Sequence, residues 1–145
     1  MPSVTRSFTV RPAPADVIDY LKDFANAEEW DPGTESCTRV GDGPVAVGAR
    51  WRNVSRIAGV TTELDYELTE LTDSSVVLVG RNDSATSTDT ITVRPSGQGS
   101  QITYHADLDM HGLANLAAPA MKLVFEKLAN DTEEQMTAVL NCLPG

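Results

Sequence analysis

Asp89 shares strand parity with Ile91 and Val93, so simple alternation turns a carboxyl toward the apolar side of its strand. There the ionised form is disfavoured, the pKa rises, and the group can serve as a general acid or base near neutral pH. The competing outcome is a carboxyl at the end of a sheet, reaching solvent or capping a turn. Tyr66 and Tyr104 fall on the same inward phase of their own runs and can donate a hydroxyl to a ligand carbonyl. Asn53 can orient such a carbonyl through its amide. Each of these three could equally bond a neighbouring backbone group.

His111 precedes Gly112 where the last strand gives way to a helix, a position from which an imidazole can act as acid or base at a cavity mouth. A plain loop histidine is the alternative. Asp107 and Asp109 share one strand face, but that face is outward and no third ligand converges on it, so no metal is expected. The chain carries no Ser-His-Asp order, nucleophile elbow, phosphate loop or dinucleotide fingerprint, so no cofactor is expected either.

Short strands must position these groups. Val4, Phe8 and Val10 oppose Ser3, Thr5, Ser7 and Thr9 across the first run, with Arg6 the exception on the apolar side. Pro14 suits the first turn of a helix that Val17, Tyr20 or Leu21, and Phe24 continue, ending near Phe24. Asn26 and Glu29 resemble a capping box, predicting a second short helix to Trp30 that stops because Pro32 disfavours helical geometry at Asp31. From Thr34 to Met110, turn signals at Gly41 to Pro44, Ala58-Gly59, Thr72 to Ser75, Asn82 to Ser84 and Pro95 to Gly99 leave six strand-length runs. Connections this short join antiparallel neighbours, so the result is a meander.

A two-residue turn at Ala58-Gly59 sets Arg52 opposite Asp65 and Arg50 opposite Glu67, with Trp51 facing Tyr66 and Asn53 facing Leu64. One face is ionic and the other apolar, a separation that a one-residue slip would invert. Across the turn at Pro95 to Gly99, Ile91 faces Tyr104 and Val93 faces Ile102, with Ala106, Leu108 and Met110 continuing the inner face. Thr103, His105, Asp107 and Asp109 alternate outward. Between Val76 and Val79 both phases are apolar and parity stays open.

The stretch from Leu113 to Val139 reads as one long helix. Leu113, Ala117, Ala120, Val124 and Leu128 form one stripe, and Met121, Phe125, Leu128, Met136 and Val139 a wider neighbour. Pro119 should kink or break it near its start, or else mark where the regular helix begins after a looser turn. A helix of that length has only the sheet to lie on, and the two together enclose an apolar space.

At 145 residues with 41% hydrophobic content the chain suits a single domain, 1–145. A net charge of −10 and scattered Lys and Arg argue against nucleic acid. No run approaches the ~20 apolar residues of a membrane span, so no stable membrane insertion is expected and the chain reads as cytoplasmic. Cys37 and Cys142 lack metal or redox spacing and read as reduced thiols. Monomer and homodimer both stay open.

The element order resembles the α+β helix-grip fold of the START and birch-pollen-allergen superfamily, SRPBCC. That fold is a seven-stranded curved antiparallel sheet (strand, two short helices, six strands) wrapped around a long C-terminal helix. Ala13 to Gly33 (APADVIDYLKDFANAEEWDPG), with its hydrophobic helix leading to a Trp-Asp-Pro corner, resembles the bacterial polyketide cyclase/dehydrase and lipid-transport branch. So do Val47-Gly48 with Trp51 to Val54, Tyr66 to Leu71, and Gln101 to Tyr104. The resemblance implies a cavity between sheet and last helix. Relatives in that superfamily include lipid and sterol carriers, coenzyme Q-binding proteins, hormone receptors and aromatic polyketide cyclases, so a shared fold does not select a reaction.

The expected cavity wall takes Trp51, Asn53, Leu64, Tyr66 and Leu68 from one hairpin and Asp89, Ile91, Tyr104, Ala106 and Leu108 from another. Met121 and Phe125 add the helix's share, with Trp30 nearby. Its aliphatic members could simply fill core. Three functions fit: a binder or carrier of a small hydrophobic molecule such as a lipid, isoprenoid or aromatic polyketide; a polyketide cyclase or dehydratase working through Asp89, Tyr66, Tyr104 or Asn53; or a protein-interaction module with a vestigial pocket. An enzyme needs polar groups converging inside the cavity, whereas a carrier needs volume and an opening.

Overall fold

A computed structural model describes residues 3–57, 59–111 and 118–143, with side chains for all of these except 118–121. In chain order the elements are β1 (Ser3–Val10), α1 (Pro14–Leu21), a single 3-10 turn (Phe24–Asn26), α2 (Ala27–Trp30), β2 (Thr34–Val40), β3 (Arg50–Ile57), β4 (Val60–Leu71), β5 (Ser75–Arg81), β6 (Ala85–Ser96), β7 (Gly99–Met110) and α3 (Ala118–Asn141). The strands form one antiparallel sheet in the order β1-β7-β6-β5-β4-β3-β2, the helix-grip arrangement, with the six-strand meander closed by β1 against β7.

Both hairpin registers are those that the charge and apolar patterns require. Arg52 pairs with Asp65, Trp51 with Tyr66 and Asn53 with Leu64; Ile91 pairs with Tyr104 and Val93 with Ile102. The ionic face points out, where Arg52 Nε meets Asp65 Oδ1 at 3.1 Å and Arg50 meets Glu67 at 3.8 Å. Val76, Leu78 and Gly80 are the buried phase of β5, which settles the strand whose two faces read alike.

The long helix is propped at the two edges of the sheet. It packs on β1 at one edge and on α2, which lies against β2, at the other. Arg6 explains its place on the inner phase of β1: its guanidinium reaches Glu126 Oε2 of α3 at 2.6 Å and donates to Asn130 Oδ1 at 3.0 and 2.9 Å. On the other side Gln135 Nε2 donates to the Glu29 carbonyl at 2.8 Å. The face turned to the sheet is Phe125, Ala129, Thr132, Met136 and Leu140, all buried. Val139, expected on it, is only partly buried. A span held at both edges of a concave sheet need not touch its middle.

Two local expectations are corrected. The first helix stops at Leu21, because Asp23 turns extended and its side chain accepts from the Ala25 backbone N–H, opening the 3-10 turn instead. Asn26 makes no cap, because the 3-10 turn already holds it in helical geometry; its amide donates to the Tyr20 carbonyl at 2.8 Å. Pro119 is the second residue of α3, which runs from Ala118 to Asn141, the arrangement in which it marks the start of the regular helix and its missing N–H breaks no helical bond. The expected helical segment from Leu113 to Ala117 lies outside the described residues. No described helix is long and apolar enough to cross a membrane.

Candidate functional site

Under α3, at the end of the sheet formed by the β3–β4 turn, the start of β6 and the end of β7, lies a cavity of about 270 Å³. Apolar wall comes from Val4, Leu64, Ala106, Leu108, Phe125 and Leu128, among others. Polar wall comes from Asp31, Tyr66, Ser87, Asp89 and Tyr104, with Ser55, Thr62 and Thr132.

Asp89 is 5% exposed, and alternation along β6 holds it on the inner face between Ser87 and Ile91. Its pKa is pushed up to about 8, first because burial strips solvent from the carboxylate and second because Asp31 repels a second negative charge. The Tyr104 hydroxyl, directed at the carboxyl, pulls the other way. Burial, then the charge of Asp89, drives Tyr66 and Tyr104 well above the usual phenol range, so both are neutral donors at physiological pH. Ser87, facing the Tyr66 hydroxyl, partly offsets that rise.

Asp31 is fixed by the turn after α2. Its carboxyl accepts from Gly33 N at 3.0 Å and from Thr34 Oγ1 at 2.9 Å. These bonds lower its pKa, yet burial outweighs them and the net direction is up. Two carboxyls thus face one cavity with raised proton affinity.

Tyr66 lies flat over β5 because its partner position is a glycine. An added Cβ on Gly80 would sit 2.5 Å from Tyr66 Cε1, closer than atoms tolerate. Behind Tyr104 stands Trp30, edge-on at 6.1 Å.

Of the residues expected in the wall, Leu64, Tyr66, Asp89, Tyr104, Ala106, Leu108 and Phe125 line the cavity. Trp30, Trp51, Asn53, Leu68 and Ile91 do not, and each has a physical reason. Trp30 is wholly buried between Phe24 and Tyr104, its Nε1 without a partner among the described residues. Trp51 donates to Asp23 Oδ1 at 3.2 Å, meets Phe24 edge-on and carries Arg39 over its ring at 5.5 Å. Asn53 is held by Thr34 at 3.0 Å and Ser55 at 2.6 Å. Leu68 and Ile91 are fully buried in the solid half of the core. The side chain of Met121 lies outside the described ones.

His111 is exposed outside the cavity, 3.9 Å from Asp109, although its neighbour Met110 lines the cavity. Asp107 and Asp109 lie on the outer phase, where Asp107 pairs with His105 at 3.0 Å. Cys37 is buried, its thiol pushed up to about 12 chiefly by desolvation, while Cys142 is exposed; both are free.

Sequence reasoning missed Asp31 and Ser87. Period-two counting back from Asp89 reaches Ser87 and Ala85, a signal that was available. Asp31 reads only as the residue that ends a helix before Pro32, and nothing local says that this corner faces a hollow.

Comparison with known proteins adds the following. A family model described as polyketide cyclase / dehydrase and lipid transport matches residues 1–140. A START superfamily protein from Mycobacterium smegmatis is similar in structure, with a TM-score of 0.80 and 11% identity over 98% of this chain and 99% of that one. The Zhui aromatase/cyclase from Streptomyces sp. R1128 gives 0.72 and 12% over 96% and 90%. The di-domain aromatase/cyclase BexL from the BE-7585A biosynthetic pathway gives 0.73 and 14%, over 98% of this chain and 50% of that one. No curated protein matches. At these identities the structural likenesses speak for the fold, and the family match over nearly the full length speaks for descent: the chain belongs to the polyketide cyclase / dehydrase and lipid transport family.

Proposed function

We propose that this protein binds a small, largely apolar molecule between its sheet and α3, with the molecule's polar group at the end where Asp31, Asp89 and Tyr104 meet. The observation that carries the reading is the cavity itself. About 270 Å³ is far beyond the roughly 30 Å³ of one water and approaches the ~300 Å³ at which ligand pockets begin. Family membership supports it, and the open interior favours a pocket over an interaction module filled by its own side chains. Native mass spectrometry of the protein purified without detergent tests it. A bound small molecule is expected, released when Ala106→Trp fills the cavity. A bare mass, together with no uptake of any apolar probe, would overturn the reading.

A second reading is favoured by one observation, the carboxyl held near pKa 8 beside a neutral phenol. A group titrating there can give or take a proton from a bound ligand, as a cyclase or dehydratase requires. Turnover of a polyketide-type substrate would then show a pH–rate inflection near 8 that Asp89→Asn removes, and a flat profile would leave binding alone.

A further inference from the structure

We propose that the cavity recognises an amine: an apolar molecule carrying one protonated nitrogen, in preference to its neutral or carboxylate counterpart. The inference rests on the binding reading above and names the ligand class.

Hydrogen-bond supply and demand inside the wall carry it. Ser55 directs its hydroxyl proton to Asn53 Oδ1 at 2.6 Å, and Thr132 directs its own to the Leu128 carbonyl at 2.8 Å. Tyr104 faces Asp89 across the wall, and Ser87 faces Tyr66. Two of the wall's hydroxyls are thus spent inside the protein, while the carboxyls of Asp31 and Asp89 give the wall its largest acceptor capacity. Asp89 contributes most of it, more than nine-tenths buried and aimed into the space. Asp31 adds lone pairs beyond its bonds to Gly33 and Thr34.

Charge points the same way. Among the described residues no Lys, Arg or His lines the cavity, and none of the described ion pairs includes Asp31 or Asp89. Arg6, the cation on the inner phase of β1, is bonded to Glu126 and Asn130. Two carboxyls therefore share an apolar enclosure with no cation beside them among the described residues. An ammonium supplies up to three N–H donors and the missing positive charge at once, and charge-assisted bonds of that kind are the strong ones. A carboxylate ligand would add a third acid to the same enclosure.

Isothermal calorimetry with a matched series of octylamine, octanol and octanoate tests this on the full chain. The expected result is octylamine at least about tenfold tighter than octanol, with octanoate unbound. Asp89→Asn should bring the amine to alcohol ratio near one, whereas Asp65→Asn, on the outer face, should leave the ratio alone. Octanol binding as tightly as octylamine to the unaltered protein would overturn the amine assignment while keeping the apolar-ligand reading. Failure of both octylamine and octanol to bind would overturn the two together. Because the ratio is read on the unaltered protein, a variant that fails to fold cannot rescue the proposal.

Discussion

The inner face of the sheet has two halves that differ in what they hold. Toward α1, the side chains of Leu68, Val76, Ile91, Val93 and Ile102 are fully or almost fully buried and leave no room. Toward the β3–β4 turn, the same strands carry Ala85, Ser87 and Ala106, and the space they do not fill is the cavity. Along β6 alone the inner residues shrink from Val93 and Ile91 through Asp89 and Ser87 to Ala85. Solid and hollow are thus set by side-chain volume along one strand, with the backbone pairing unbroken from end to end. The same sheet supplies stability at one end and a binding volume at the other.

The sharpest way to break that contrast is to hollow the solid region. Trp51→Ala, which removes a wholly buried indole with a hydrogen bond to Asp23, should cost about 3–5 kcal/mol in urea unfolding. A cost below about 1 kcal/mol would mean that the solid half is looser than its burial implies.

The next effect belongs to the hollow end and to pH. Asp89 has a folded pKa near 8 against an ordinary value of 3.8, so the folded chain keeps a proton that the unfolded chain has released. Its contribution is fully present below about pH 4 and is lost as pH rises through about 8. From about pH 6 to pH 9 the unaltered protein should lose roughly 2–3 kcal/mol that Asp89→Asn does not, at about 1.4 kcal/mol per pH unit. Parallel stability curves for the two proteins would show that water reaches the carboxylate freely.

Filling the hollow should do less to stability and more to binding. Ala106→Leu adds volume where space already exists, so unfolding should shift by less than about 1.5 kcal/mol while uptake of an apolar probe falls steeply. The smallest effect is expected outside. A double-mutant cycle on Arg52 and Asp65, a half-exposed pair, should return ~0–1 kcal/mol that added salt removes.

Much of the fold could be read from the residues because one property alternated cleanly. Arg50 and Arg52 against Glu67 and Asp65 left a single register that kept charge out and Trp51 in, and that register is the one found. The hollow was harder, since Leu64 in its wall and Leu68 in the packed core share a strand and a parity. Periodicity reports which face a residue takes and is silent on whether anything presses against it. Trp51 and Asn53 were misplaced for that reason: both point inward, but a helix corner carrying Asp23 and the start of β2 carrying Thr34 reach them first. Asp31 escaped notice because its place depends on a corner folding under a sheet most of whose strands follow it.

Gly80 gives the pocket its floor. The phenol of Tyr66 rests in the notch left by a missing methyl group, and restoring that methyl would lift the ring toward the ligand's side of the sheet. Room for a guest therefore depends on one hydrogen atom in a strand that the guest need never touch, which makes this position a natural dial for the size of molecule admitted.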